Sequence, residues 1–382
     1  MKRRHKHKVL LAELSMTGGF HSGVNAGFVL LMQESYPESE LHFLGEGTHI
    51  ESCRNRLAGT PVRYRKFPVF PKAGQFTLPL RDLLGCMYAV WLFLLSGKTD
   101  PIFITNLLPF THWCMYLLNG LFRRQLFIAL HGQLEAFCWD TSLRLTKPYF
   151  RLHGPLFRKD RRNRYIILGD PVYKEIEHLF GPEAKIIVID HPYDCSEPIP
   201  APVLKCPVRF GQIGTGNRAK GTEALFRLGE LLCDEIEAGR VELFLTGGLA
   251  AELRSRANQW VKWHVAPLSE SKFSREINRL HYVLFLRDAS QGRATASGSF
   301  FDSVKYRKPF LSLDSHFVRH YTERFPGCGE TFSSIEALAG AIRGISLRMD
   351  KAEYGHRTEG LEVMRRDLSI QRIAEDFKRQ IR

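Results

Sequence analysis

No Cys-x-x-Cys pair occurs in this chain of 382 residues, although it holds 8 cysteines: Cys53, Cys86, Cys114, Cys138, Cys195, Cys206, Cys233 and Cys328. Their scatter argues against a zinc ribbon or a small disulfide scaffold. It predicts reduced thiols and a cytoplasmic location. Asp-x-Asp, His-Glu-x-x-His and clustered Cys/His sets are also missing, so no metal site is expected, and His5 and His7 read as solvated. Without Gly-x-Ser-x-Gly there is no nucleophile elbow, and without G-x-x-x-x-G-K-[ST] there is no P-loop. Repeats, low-complexity tracts and heptads are absent. Apolar runs are short. Val9–Ala12 cannot form the core of a signal peptide. Leu83–Leu95 is too short to cross a bilayer and reads as a buried helix, with a membrane-dipping helix as the lesser reading.

What is present is cationic and foldable. Lys+Arg number 54 against 40 Asp+Glu, a formal charge of +14, concentrated in Met1–Lys8 and Arg151–Arg164. Such a field attracts nucleotides, nucleic acid or acidic headgroups. No RNP-like, zinc-finger or helix-turn-helix signature supports nucleic acid. A nucleotide partner with peripheral contact to an anionic membrane ranks higher. With 44% hydrophobic and 25% charged residues, the length suits two folded domains.

Strand and helix patterns alternate, as in parallel α/β domains. Strands are expected at 8–14, 40–44, 101–105, 125–130, 165–168 and 185–189. The proline-rich stretch Asp190–Pro207 reads as a linker. Strands then recur at 208–213, 241–246, 281–286 and 309–313. The expected division is 1–195, a linker at 196–207, a second domain at 208–358 and a charged C-terminal helix at 359–382.

Three segments carry chemistry. Gly214-Thr215-Gly216-Asn217-Arg218-Ala219-Lys220-Gly221 joins a strand to a helix. Its glycines permit close backbone approach, the helix N-terminus favours an anion, and Arg218 and Lys220 add two cations. That suits a departing diphosphate, although a turn with solvated basic residues would look the same. Gly214, Gly216 and Ala219 fit G-x-G-x-x-G/A, but the next strand ends Thr246-Gly247-Gly248, without the carboxylate a nicotinamide ribose needs. The second segment runs from Ser297-Gly298-Ser299 through Asp302 to Lys308-Pro309. Its amides could hold phosphate and Asp302 a ribose, while Ser299 as N-cap with Asp302 at N3 is the plain alternative. The third is the strand Phe127–Leu130, which delivers His131-Gly132. A lone histidine is more often structural.

In order and spacing these landmarks resemble the GT-B nucleotide-sugar glycosyltransferases, particularly the large retaining group of bacterial surface-polysaccharide synthesis (glycosyl transferases group 1). The early Gly18-Gly19 pair, His131, the Arg218-x-Lys220-Gly221 loop, Asp302 and Lys308-Pro309 all match over roughly residues 8 to 345. The resemblance implies two Rossmann-like domains facing a central cleft, with the C-terminal helix crossing back to the first. It implies a metal-independent transfer of sugar from a nucleotide diphosphate to a glycan or lipid-linked glycan. Arg218 and Lys220 would neutralise the diphosphate. Gly19, Thr215, Gly216, Gly221, Ser297, Gly298 and Ser299 would line the donor, Asp302 would orient the ribose, and His131 would position the sugar. Gly18 and His21 would face the acceptor. A retaining reaction needs no side-chain base; an inverting one would draw on His21 or His131. One departure stands out. The group's E-x7-E would place its first glutamate at Ala294. Arg293, Ser297 or Ser299 would then share the sugar contact, or the protein would bind nucleotide or glycan without turnover.

Overall fold

The computed structural model describes residues 7–19, 21–57, 59–70, 77–138, 146–196, 199–287 and 292–382. The basic residues 1–6 and the linker residues 197–198 lie outside that set. The chain divides into two compact units. One comprises Met1–Asp194, Ala294–Ala296 and Leu368–Arg382, and the other Cys195–Arg293 and Ser297–Asp367.

The first unit holds, among the described residues, a seven-stranded parallel sheet. Its strands are β1 (Lys8–Glu13), β2 (Glu40–Gly45), β3 (Arg63–Lys66), β4 (Ile102–Asn106), β5 (Leu126–Leu130), β6 (Arg164–Leu168) and β7 (Lys185–Ile189), in the order β3-β2-β1-β4-β5-β6-β7. The second unit has six: β8 (Val208–Ile213), β9 (Val241–Gly248), β10 (Val261–His264), β11 (Tyr282–Phe285), β12 (Phe310–Leu313) and β13 (Gly329–Phe332), in the order β10-β9-β8-β11-β12-β13. Every pairing is parallel. This is the α/β class that the alternating pattern predicts. Continuous apolar strands such as Phe127-Ile128-Ala129-Leu130 are buried on both faces, which parallel sheets require.

In each sheet the strand order reverses once, between β1 and β4 and between β8 and β11. Loops leaving the carboxyl ends of those pairs diverge, so these are the places where α/β sheets receive ligands.

The helix Ile370–Ile381 completes the first unit. Ile373, Ala374 and Phe377 are buried in its core, with the Phe377 ring 5.9 Å from Phe103 and 5.7 Å from Phe127. Gln380 bonds both the amide and the carbonyl of Val188 in the edge strand β7. The break before this helix falls at Leu368–Ser369, after the separate helix Lys351–Asp367.

Two expectations need correction. The apolar run at 83–95 belongs to the helix Leu78–Leu95, whose outward face is exposed rather than buried. Its inward face carries the two charges, Arg81 and Asp82. At the second sheet, Ser297 rather than Ser299 is the N-cap of the helix Gly298–Lys305. Asp302 is the fifth residue of that helix, beyond the reach of capping.

Candidate functional site

The second switch point is built by close packing of two loops. After β8 the chain turns at Gly214 (φ 87°) and extends the sheet through Gly216, whose amide donates to Gly248 O at 3.0 Å and whose carbonyl accepts from Ala250 N at 2.9 Å. Asn217 caps the turn Arg218–Lys220 by accepting from Lys220 N at 2.9 Å. Gly221 then takes φ 70°, and a Cβ there would lie 1.8 Å from Leu286 O, in the loop after β11. Only glycine lets the two loops touch. Gly216 and Gly221 therefore have structural work of their own. Gln212 ties the turn down, donating to Lys220 O at 2.6 Å and accepting from Thr222 Oγ1 at 2.8 Å.

The two cations of this loop diverge. Arg218 is exposed and lies 3.7 Å from Glu223, which also pairs with Arg256. Lys220 turns inward, its Nζ lying over Gly214. Burial, then the neighbouring Arg287 guanidinium, pushes its pKa down from 10.5 to about 8, and Asp302 partly opposes them. Lys220, Arg287 and Asp302 thus form one electrostatic group where β8 and β11 part. Sequence reasoning missed Arg287. Its signal was its place, two residues beyond β11 at the end of Leu284-Phe285-Leu286-Arg287, where a switch-point loop starts.

The loop after β11 continues to the exposed Arg293 and on to Ser297, whose Oγ is 3.0 Å from Ser299 Oγ at the start of the helix Gly298–Lys305. Thr215 is exposed beside the turn. Lys308 is wholly buried and donates to Asn278 O at 3.0 Å; burial lowers its pKa to about 7. The Lys308-Pro309 pair therefore braces the sheet.

In the first unit the loop after β1 is organised by Glu13, which is fully buried. Its carboxylate accepts from Ser15 N (3.0 Å), Met16 N (3.2 Å), Asn25 Nδ2 (3.3 Å) and Thr105 Oγ1 (3.1 Å). Gly18 (φ 61°) donates to Thr48 Oγ1, and its carbonyl meets His49 Nδ1 at 2.8 Å. A Cβ at Gly18 or Gly19 would meet nothing within 4 Å, so this loop is open above its backbone. Sequence reading passed over Glu13 because one acid closing an apolar strand carries no pattern.

His131, from the end of β5, is brought to His21, which has the left-handed φ of 58°; their ring centroids are 5.2 Å apart. Burial, then His21 and His191, holds the His131 pKa well below its usual 6.5, and its Nε2 has no hydrogen-bond partner among the described residues. It is a neutral imidazole at physiological pH. Its low basicity makes it a poor general base but leaves it able to hydrogen-bond a hydroxyl. Four residues on, Glu135 Oε1 accepts from Ala294 N at 3.0 Å. A carboxylate therefore does stand against the main chain at Ala294, supplied by another segment.

No protein-family model matches the chain, and no curated protein matches it. Solved structures do. HepE from Anabaena, in complex with UDP, superposes with TM-score 0.68 and 13% identity over 98% of this chain and 99% of its own. Sucrose-phosphate synthase from Thermosynechococcus elongatus gives TM-score 0.72 and 11% identity, over 97% of each chain. WaaG, a glycosyltransferase involved in lipopolysaccharide biosynthesis, gives 0.62 and 13% over 96% of this chain and 97% of its own. The fold is GT-B. In this GT-B chain the two switch points differ in character. The second gathers cations, and the first gathers histidines near an open glycine loop.

Proposed function

We propose that the protein transfers a sugar from a nucleoside-diphosphate donor to a glycan or lipid-linked glycan. The observation that carries this reading is the Lys220–Arg287–Asp302 group at the second switch point. Burial and the Arg287 charge disfavour the Lys220 ammonium, Asp302 only partly opposes them, and an anion shared between the two cations would relieve that cost. HepE, similar in fold, was also solved with UDP-glucose, so uridine donors are the first to try.

In this reading Lys220 and Arg287 bind the diphosphate, and Arg218 joins by leaving Glu223. The start of the helix Gly298–Lys305, with Ser297 and Ser299, contributes amides and hydroxyls. Asp302 takes the ribose, and His131 holds a sugar hydroxyl. The cations neutralise the departing diphosphate, so the reaction proceeds without a metal. The low basicity of His131 favours retention, in which the leaving phosphate accepts the acceptor's proton. Glu135 takes the sugar-facing carboxylate role for which Ala294 is unequipped.

Calorimetry against UDP, GDP, ADP and their sugars tests the donor site. One diphosphate should saturate. Lys220→Ala should weaken it at least tenfold and Arg218→Ala less, because the Arg218 side chain is already paired. Equal binding by wild type and Lys220→Ala would remove the donor assignment. Ala294 motivates a second reading, a nucleotide-binding protein without turnover. Saturable binding with no release of diphosphate across a broad acceptor panel would establish it.

A further inference from the structure

In the first unit the helix Leu78–Leu95 and the helix Pro109–Phe122 lie side by side and run the same way. Near their starts, Asp82 accepts from Phe110 N and Thr111 N, both at 2.7 Å. Past their ends, Arg124 donates to Ser96 O at 3.0 Å. Between those ties the two backbones come close. A Cβ on Gly85 would lie 2.3 Å from Thr111 Oγ1 and 3.4 Å from Thr111 Cβ. In a disulfide the two Cβ atoms are about 3.5–4.5 Å apart. The seam between these helices is therefore narrow enough for facing side chains to bond covalently.

Two cysteines come next along that seam. Cys86 follows Gly85, and Cys114 stands three residues beyond Thr111. The Cys114 thiol donates to the Cys86 carbonyl at 3.8 Å. When Cys114 gives up its proton, the Cys86 thiol donates to its sulfur. That hydrogen bond holds the Cys114 pKa below its usual 9, against burial and the Asp82 charge, and pushes that of Cys86 up. Both cysteines are half-buried and face outward. Cys86 lies at helical spacing from Leu83 and Val90, Cys114 from Phe110 and Leu117, and all four of those neighbours are exposed. A small oxidant can therefore reach the pair. Cys53 and Cys328 are buried instead, and burial raises their pKa values, which makes them inert.

We propose that Cys86 and Cys114 are a reversible dithiol–disulfide site, closed by exchange with a low-molecular-weight disulfide. The Cys114 thiolate, its proton given to solvent, attacks one sulfur of the small disulfide. A mixed disulfide forms on Cys114 and one small thiolate leaves, taking the proton of the Cys86 thiol. The Cys86 sulfur then attacks Cys114 Sγ and expels the second small thiolate, which takes a proton from solvent. The two protein thiols lose two electrons in total, and the small disulfide is reduced to two thiols. The new bond fastens the outer side of a helix whose inner side reaches the loop after β1, where Arg81 donates to Ser15 O. The inference stands on these two helices and not on the nucleotide site, so either can fail without the other.

Equilibration of the full-length protein with oxidised and reduced glutathione in varied ratio, followed by acid quenching and digestion without reductant, tests it. Mass spectrometry should find a peptide joining Cys86 to Cys114 that accumulates as the oxidised share rises and vanishes with dithiothreitol. Cys86→Ser should stop at one glutathione on Cys114, and Cys114→Ser should also lose the linked peptide. The thermal midpoint of the wild type should rise on oxidation, and that of either variant should not. Should a variant fold poorly, the linked peptide in the wild type decides alone. Glutathione adducts on both cysteines without a linked peptide would overturn the proposal. So would modification of the exposed Cys206 while Cys86 and Cys114 stay reduced.

Discussion

At Lys220 the free chain and a diphosphate complex favour different protonation states. Its pKa in the folded chain is about 8, against 10.5 ordinarily. The unfolded chain therefore binds more protons between those values, and stability of the free protein rises with pH across that window. Lys308, lowered to about 7, adds the same sign from lower pH. Diphosphate affinity runs the other way, because the phosphates require the ammonium. Titrations from pH 6.5 to 9.5 should show affinity constant below about pH 8 and falling above it, with proton uptake on binding in the falling limb. A flat profile would place the diphosphate elsewhere. Gly221 is the other decisive residue. Alanine there faces a left-handed φ and the Leu286 carbonyl at 1.8 Å. Gly221→Ala should cost about 3 kcal/mol in chemical denaturation and weaken nucleotide binding in parallel, since the same loops form the site.

Among elements, the legible ones were those with continuous apolar runs. Three strands escaped sequence reading: Arg63–Lys66, Val261–His264 and Gly329–Phe332. Each is an edge strand. An edge strand packs against fewer neighbours, so it tolerates sequences such as Arg-Tyr-Arg-Lys, which carry neither run nor alternation. The fourth edge, β7, was legible because it reads Lys-Ile-Ile-Val-Ile. The helix Leu78–Leu95 failed for the opposite reason: an apolar run was taken as core when only its inward face is. The helix Ile370–Ile381 has a clear seam, in which Ala374 and Phe377 are fully buried. Phe377→Ala should lower stability by about 3 to 5 kcal/mol, read as a fall in the denaturation midpoint.

At the scale of the molecule, periodicity and strand-ending loops were enough for the α/β class and for the order of the segments that reach the switch points. They were not enough for the pairing of charges. Arg218 and Lys220 look equivalent in the sequence, yet one faces Glu223 and the other Arg287 and Asp302. Side-chain direction depends on tertiary neighbours that no local pattern encodes. Glu135 beside Ala294 is a similar case, because the two are joined only by the fold.

The placement of Leu368–Arg382 in the first unit also bears on biosynthesis. Those residues leave the ribosome only after the whole of Cys195–Asp367 has been made. The second unit can therefore fold while the first still lacks the helix that covers Phe103 and Phe127. A nascent chain that has reached Asp367 leaves those rings without the packing that Phe377 supplies. Completion of the first unit's core thus waits on synthesis of the second.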